Sequence, residues 1–193
     1  HGANRLGGNG VADSVVFGAR AGDAMAEYVA RRPATSVSAG QVRELCDRWA
    51  EPLERTGGAN PFVLRTKLED VMWRKVGVVR NGDDLRAAVG ELRSLKGQVA
   101  AADGSGGAVY NAKWNEVLNL ANMTVVAEMI ATSALLREES RGAHYRQDFP
   151  NQDPAWFKNI CMAPQDGSLR TWTVPVQFTR LQPPEALRKP VRV

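Results

Sequence analysis

The sequence predicts a mainly α-helical fold: one leading helix, an antiparallel three-helix bundle, and a C-terminal β-hairpin with an extended tail. Two observations carry this prediction. Apolar residues recur at helical spacing from Val11 to about Arg141, with breaks rich in glycine or proline, and clean alternation appears only after Pro150. The 193 residues, 44% hydrophobic and 24% charged, are typical of a globular protein that can bury a core.

The leading helix is predicted over Val11 to Ala30, where the apolar residues form one stripe. Arg31-Arg32-Pro33 ends it, because proline cannot continue a helix and basic residues suit the last turn. Residues 34–40 are small and polar, which is typical of a linker. The chain is therefore predicted to divide into residues 1–33 and residues 41–193.

Helical stretches with short connections follow the linker and predict the bundle. One begins at Gln41 and breaks at Gly57-Gly58, and Asn60-Pro61 looks like an N-cap followed by the first helical residue. Asp83 or Asp84 is predicted to cap the next helix. A heptad-like apolar stripe runs through that helix and consists of Leu85, Val89, Leu92, Leu95 and Val99. The longest helix is predicted from about Tyr110 to Arg141, and its several apolar faces place it in the middle of the bundle. Gly142 suits the left-handed turn that would end this helix, and the three basic side chains of Arg141, His144 and Arg146 would then gather in a short corner.

The C-terminal part of the chain is predicted to form β structure. Residues 156–162 and 171–178 are predicted strands, and Asp166-Gly167 between them is a turn signal. Pro175 confines the second strand to a sheet edge. The segment from Pro183 is rich in proline and basic residues, and we expect it to be extended.

The first ten residues, HGANRLGGNG, predict a binding turn. Gly7, Gly8 and Gly10 leave backbone with little side chain, and Asn9 tolerates left-handed dihedral angles. Such a turn at the start of a helix presents bare N–H groups at the positive end of the helix dipole. Arg5 adds a planar set of donors suited to carboxylate or phosphate.

The stretch HGANRLGGN resembles the signature near the end of the flavin-binding domain in succinate dehydrogenase and fumarate reductase flavoprotein subunits. The resemblance returns in ESRGAHYR, residues 139–146, and in Asp148-Phe149-Pro150. It implies that residues 1–33 are the end of an FAD-binding domain. Residues 41–193 would then be the C-terminal helical domain with its hairpin tail.

The resemblance also implies roles for individual residues. Arg5 takes the position of the arginine that binds the dicarboxylate substrate, while Arg141 and His144 pack back toward the cofactor region without acting as catalysts. At position 10 the family commonly has serine, whereas this chain has glycine, so a backbone contact survives and a hydroxyl contact does not. The residues implied to contact FAD are Gly7, Gly8, Asn9, Gly10 and Val11. No catalytic residue and no metal ligand is predicted.

The implied activity is FAD-dependent interconversion of succinate and fumarate, and the implied electron partner is an iron–sulfur subunit. The dinucleotide-binding pattern G-x-G-x-x-G after an N-terminal strand is absent from these residues. We therefore expect the chain to be a piece of a longer protein and, alone, to bind no FAD and to be inactive. The expected location is the cytoplasm, with peripheral attachment to the inner face of the membrane through a complex.

Two alternatives remain open. L-Aspartate oxidase, of the same superfamily, shares the HGANRL start but usually has Ala-Ser where this chain has Gly7-Gly8. The second alternative is a helical interaction module without catalysis.

Composition narrows the remaining function classes. The net charge of +4 is scattered along the chain, so a nucleic-acid surface is not required. Cys46 and Cys161 are predicted to be reduced thiols, and no apolar run reaches the roughly 18 residues of a membrane span. We expect Glu138-Glu139 to be a charged helix face and the five tryptophans to lie in the core.

Overall fold

The computed structural model describes residues 8–165, 168–178 and 182, and most of them are helical. Two 3₁₀ turns, Glu51–Glu54 and Pro154–Trp156, accompany the longer elements. The helices are α1 (Asn9–Ala30), α2 (Ala39–Ala50), α3 (Pro61–Lys75), α4 (Gly82–Ala100) and α5 (Ala112–Leu136). The strands are β1 (Val79–Arg80), β2 (Tyr145–Arg146), β3 (Lys158–Gln165) and β4 (Ser168–Pro175). The predicted mainly α fold is confirmed.

The chain divides into two units, residues 1–48 and residues 49–193. In the first unit, α1 begins after Gly8 and ends at Ala30, close to its predicted limits. It buries none of its residues, and Val11 and Val15 of the predicted stripe are 71% and 65% exposed. The assignment of residues 1–33 and 41–193 to two family domains stays a prediction.

Asparagine side chains begin the three helices of the second unit. Asn60, Asn81 and Asn111 each accept a hydrogen bond from a backbone N–H in the first turn of the helix that follows, at 2.9 to 3.0 Å. Such caps satisfy donors that have no partner within the helix. The predicted cap at Asn60 is confirmed. The predicted cap of α4 was wrong, because Asn81 takes that place and Asp83 and Asp84 lie in the first turn.

Helix α4 runs antiparallel to both α3 and α5. The Asp103 amide, just after α4, donates to the carbonyl of Ala59, just before α3, at 3.1 Å. The start of α4 lies beside the end of α5, because Asp148 accepts from Gly82 while its partner Arg146 donates to the Ala134 carbonyl. These contacts make α3, α4 and α5 the predicted antiparallel bundle.

The core of the second unit is formed mainly by aliphatic side chains of these three helices. Its fully buried members include Leu64 of α3, Leu85 and Leu92 of α4, and Leu120 of α5. Each such leucine contributes about 1.5–3 kcal/mol through removal from water. The heptad-like stripe of α4 is confirmed, since all five of its residues are buried in this core.

Helix α5 packs against both α3 and α4. It is also the one helix of the described residues long and apolar enough to cross a membrane by length and composition. Within the bundle it buries Glu116 and Glu128, which pair with Arg65 and Arg93. The predicted end at Arg141 was wrong: the helix stops at Leu136, because Arg137 adopts an extended conformation.

The predicted hairpin is confirmed as an antiparallel pair, with β3 and β4 in register from Lys158 opposite Pro175 to Gln165 opposite Ser168. The strands are longer at the turn than predicted. Trp156 was wrongly placed in the first strand, since it belongs to a 3₁₀ turn. The turn at Asp166-Gly167 and the tail from Pro183 lie outside the described residues.

The prediction that the tryptophans lie in the core was wrong, because none of the five is buried and three of them, Trp49, Trp73 and Trp172, are exposed. Trp73 is 82% exposed and Trp49 is 54% exposed. Trp114 is half-buried and donates its indole N–H to the carbonyl of Trp49 at 2.7 Å.

Candidate functional site

The residue directly before α1 has the backbone conformation that a glycine at this position predicts. Gly8, the N-cap residue, has φ +82° and ψ −26°, a left-handed conformation that residues with a Cβ rarely adopt. Its carbonyl accepts the first helical hydrogen bond, from Ala12 N at 3.0 Å. No described side chain caps the helix, and the first turn carries no acidic residue.

The amides at the start of α1 therefore have no hydrogen-bond acceptor among the described residues. Asn9, Gly10 and Val11 occupy the first turn, where backbone N–H groups have no acceptor within the helix. The Ser14 hydroxyl donates to the Gly10 carbonyl at 2.8 Å and does not compete for these amides. The structure thus brings together Gly8, Asn9, Gly10 and Val11 of the predicted cofactor contact. Arg5 and Gly7 lie outside the described residues.

A buried carboxylate organises the second predicted cluster. Glu139 is fully buried, and its Oε1 accepts from Arg137 Nη1 at 2.6 Å and from Arg141 Nε at 2.8 Å. Its Oε2 accepts from Arg141 Nη2 and from the Asp153 amide, each at 2.9 Å. Burial would raise the pKa of Glu139, but these hydrogen bonds outweigh burial and hold the pKa below its ordinary value.

This result corrects the sequence interpretation of Glu138-Glu139. Glu138 is exposed as expected, but Glu139 belongs to no helix face and no part of it reaches solvent. The available signal was the spacing of Arg137 and Arg141, which flank Glu139 at two residues on either side. A carboxylate between two such arginines favours a charge network over a solvated face.

Arg141 and His144 are joined by a short turn. Their backbones exchange two hydrogen bonds, at 2.8 and 3.0 Å, and Gly142 between them has φ +60°. The left-handed conformation predicted for Gly142 is confirmed, but it does not end the long helix, which stops earlier at Leu136. The three basic side chains do not gather, since Arg141 turns to Glu139, Arg146 to Asp148 and His144 to Arg80.

Arg146 ties the end of α5 to the strand that follows. It is 2% exposed, and its Nη1 donates to the carbonyls of Ala134 and Leu135 at 3.0 Å each. These carbonyls have no amide partner further along the helix, so a cation there suits both the hydrogen bonding and the dipole. Strand β2, which contains Arg146, pairs in parallel with β1.

The imidazole of His144 is held in one neutral form. Arg80 Nη1 lies 2.9 Å from Nδ1 and can only donate, so Nδ1 accepts. The Arg137 carbonyl lies 3.2 Å from Nε2 and can only accept, so Nε2 carries the proton. Burial lowers the pKa of His144, and the charges of Arg80, Arg146 and Arg137 lower it further against the opposing hydrogen bond to the Arg137 carbonyl.

A comparison with known protein families identifies the family of this chain. Residues 65–189 match the family model described as the fumarate reductase flavoprotein C-terminal domain. The chain belongs to this family. The resemblance drawn from the two sequence motifs is thereby confirmed, and the match begins within α3 and includes α4, α5 and both strands of the hairpin.

Relatives extend the match beyond the family model. The fumarate reductase flavoprotein subunit of Mycobacterium tuberculosis is 38% identical over 96% of this chain and 33% of its own length. One subunit of the fumarate reductase (CoM/CoB) of Methanothermobacter marburgensis is 38% identical over 84% of this chain and 29% of its own length. The chain therefore spans about a third of the length of these relatives.

A solved structure shows the same fold. Mycobacterium smegmatis Sdh1 in complex with UQ1 superimposes with a TM-score of 0.85 at 35% identity, over 95% of this chain and 31% of that one. A quinol-fumarate reductase with menaquinol molecules gives 0.83 at 28% identity, over 93% of this chain and 32% of that one.

Proposed function

We propose that this chain is the C-terminal portion of an FAD-dependent oxidoreductase that interconverts succinate and fumarate. The observation that carries the proposal is the family membership of residues 65–189, joined to relatives named as fumarate reductase flavoprotein subunits. The start of α1 adds independent support, because its geometry fits a ligand that accepts hydrogen bonds from backbone amides.

The residues before and within the first turn of α1 would hold the flavin. FAD supplies the exchange of hydride between its flavin ring and the substrate carbon. The free amides of Asn9, Gly10 and Val11 would donate to the ring system, and the helix dipole would favour negative charge there when the flavin is reduced. Gly10 has no hydroxyl, so the contact at this position is made by the backbone alone. Because Gly7 and Gly8 have no side chain, neither residue would hinder the approach of the ring system through a side chain.

Arg5 would bind one carboxylate of the dicarboxylate substrate. The guanidinium can donate two parallel hydrogen bonds to a carboxylate, which fixes the orientation of the attached carbon as well as its position. Orientation of this kind lowers the barrier by up to several kcal/mol because the entropy of alignment is lost on binding. The same positive charge would stabilise the negative charge that develops on the substrate as hydride arrives.

The second unit would serve as scaffold. The networks around Glu139 and Arg146 tie the bundle to the segment that follows it, through Arg141 and His144, and this segment would face the cofactor region in the longer protein. The electron partner would be an iron–sulfur subunit, and the assembly would attach peripherally to the cytoplasmic face of a membrane. We expect the 193-residue chain alone to bind no FAD and to show no turnover.

The test is carried out on the full-length protein that contains this chain. The flavin absorbance of the purified protein is recorded, the flavin is reduced anaerobically, and fumarate is added. We expect fumarate to reoxidise the flavin and succinate to reduce it. Reoxidation by oxygen with turnover of L-aspartate, and no response to fumarate, would replace the proposal by the aspartate oxidase alternative. A colourless full-length protein would contradict both flavoenzyme hypotheses, and the non-catalytic interaction module would be the remaining alternative.

A further inference from the structure

A cavity of about 550 Å³ opens beside α5 in the second unit. Val126 and Ile130, one turn apart on α5, and Ile160 of β3 supply apolar lining, while Arg80 and His144 supply polar lining. Cavities of about 300–1,000 Å³ with mostly apolar walls and a few polar groups are typical of small-molecule sites. Val126 and Ile130 remain 53% and 43% exposed, so the wall is accessible from solvent.

Arg80 is the charged group of this cavity that has no acidic partner. Its Nε donates to the carbonyls of Val76 and Gly77 at 3.2 and 2.8 Å, and its Nη1 donates to His144. None of the described carboxylates forms an ion pair with it, and its Nη2 donates to no described acceptor. The guanidinium is half-buried, which lowers the pKa of Arg80, yet arginine stays protonated in proteins.

The other guanidinium at the cavity differs in this respect. Arg137 also lines it, but Arg137 has an acidic partner in Glu139, which it shares with Arg141, and it donates further to the carbonyls of Trp156 and Lys158. No described aspartate or glutamate lines the cavity. A half-buried positive charge without a counter-ion is costly, and a bound anion would remove that cost.

We propose that the cavity binds a singly charged carboxylate that carries an apolar tail. Arg80 Nη2 donates to the carboxylate, and the tail lies against Val126, Ile130 and Ile160. A ligand charged at both ends, such as succinate, would place its second carboxylate against this apolar wall, so it gains less than a ligand with an apolar tail. The carboxylate comes either from a free small molecule or from an acidic side chain of the longer protein. This proposal does not depend on the proposed function.

The test is a titration of the 193-residue chain, labelled with ¹³C at its isoleucine methyl groups, with sodium hexanoate. We expect hexanoate to shift the methyl signals of Ile130 and Ile160. We expect 1-hexanol, which keeps the tail and lacks the charge, to bind at least tenfold more weakly, and succinate to bind no better than 1-hexanol. Equal affinities for hexanoate and 1-hexanol, or no shift with hexanoate, would overturn the proposal.

Two variants test whether Arg80 is responsible for hexanoate binding. Arg80→Gln is expected to weaken hexanoate binding at least fivefold, whereas Arg74→Gln, at an exposed arginine paired with Asp70, should leave it unchanged. An unchanged affinity in Arg80→Gln would contradict the proposal. If Arg80→Gln fails to fold, the comparison of hexanoate with 1-hexanol in the unmodified chain still decides.

A second arm identifies the source of the carboxylate. Equilibrium dialysis measures hexanoate binding to the full-length protein and to the 193-residue chain. Binding of hexanoate to both proteins indicates that the natural ligand is a free small molecule with a carboxylate. If the chain alone binds, a crystal structure of the full-length protein should show an acidic side chain within about 3.5 Å of Arg80 Nη2. A covered cavity with no carboxylate at Arg80 would overturn the proposal.

Discussion

Arg146 and Asp148 form a two-point ion pair that joins three parts of the bundle. Arg146 Nε lies 2.8 Å from Asp148 Oδ1, and its Nη2 lies 2.7 Å from Oδ2. Asp148 Oδ2 also accepts from the amide of Gly82 at 2.9 Å, at the start of α4. Because Arg146 Nη1 reaches the end of α5, one pair of side chains connects both helix ends to β2.

Replacing Arg146 by lysine should destabilise the chain although it keeps the charge. Lysine cannot donate to both carboxylate oxygens and to the α5 carbonyls at once, so buried acceptors lose their partners. We expect the free energy of unfolding to fall by about 2–4 kcal/mol, measured by urea denaturation. Arg74→Lys, at an exposed pair, should change it by less than about 0.5 kcal/mol. Equal effects of the two variants would show that the pair is not important for stability.

The adjacent residues Glu138 and Glu139 allow a second matched comparison of stability. Glu139→Gln places an amide N–H₂ among donors from Arg137, Arg141 and Asp153, so it removes acceptors and leaves two guanidinium groups uncompensated. We expect a loss of about 2–4 kcal/mol in urea denaturation. Glu138→Gln changes an exposed side chain and should cost less than about 0.5 kcal/mol. A cost for Glu139→Gln as small as the control would contradict the network.

The carboxyl group of Asp148 should titrate far below its ordinary range. Hydrogen bonds from Arg146, chiefly, lower the pKa of Asp148 to about 2 against the effect of burial, with a further contribution from the Gly82 amide. A depressed pKa means that the unfolded chain binds the proton more readily. The resulting stability is present above about pH 4 and is lost as the pH falls toward 2.

Carboxyl ¹³C NMR of the folded chain measures this pKa, and urea denaturation at pH 5 and pH 3 measures the linked stability. Asp148→Asn should reduce the loss of stability between these pH values. A pKa near 3.8 in the folded chain would contradict the proposed strength of the ion pair.

His144 should remain neutral at pH values where a free histidine is half protonated. Burial, chiefly, and the neighbouring arginines lower the pKa of His144 from 6.5, and protonation of Nδ1 would place a proton against Arg80 Nη1. Because the folded pKa is depressed, stability is lost as the pH falls below about 6.5. Ring ¹⁵N NMR should show a single tautomer with the proton on Nε2. A tautomer with the proton on Nδ1, or a pKa above 6.5, would contradict the geometry.

The helices were predictable from sequence because their signals are local. Apolar spacing and asparagine caps lie within the segment they control, so Asn60 and the stripe of α4 could be read directly. The end of α5 could not be predicted from the sequence in this way. Residues 137–141 have no strong helix breaker before Gly142, and the helix stops because Arg137 and Glu139 find partners more than ten residues away in sequence.

The candidate site was predictable from sequence only where its signals are local. The left-handed Gly8 and the bare first turn of α1 follow from glycine spacing, which is local. The contact between Arg80 and His144 joins residues far apart in the chain and depends on the parallel pairing of β1 and β2, two strands too short to leave a periodic pattern. Their chemistry therefore became visible only with the fold.

The most direct test of the central proposal compares two arginine variants of the full-length protein in anaerobic assays of fumarate-dependent flavin reoxidation. Arg5→Ala should lower kcat/KM for fumarate by at least about 10³-fold, because it removes a contact that is strengthened in the transition state. Its bound flavin should be retained, and Arg74→Ala should match the unmodified protein. An Arg5→Ala variant that keeps its flavin and reacts with fumarate at the unmodified rate would contradict the proposal that this chain binds the substrate.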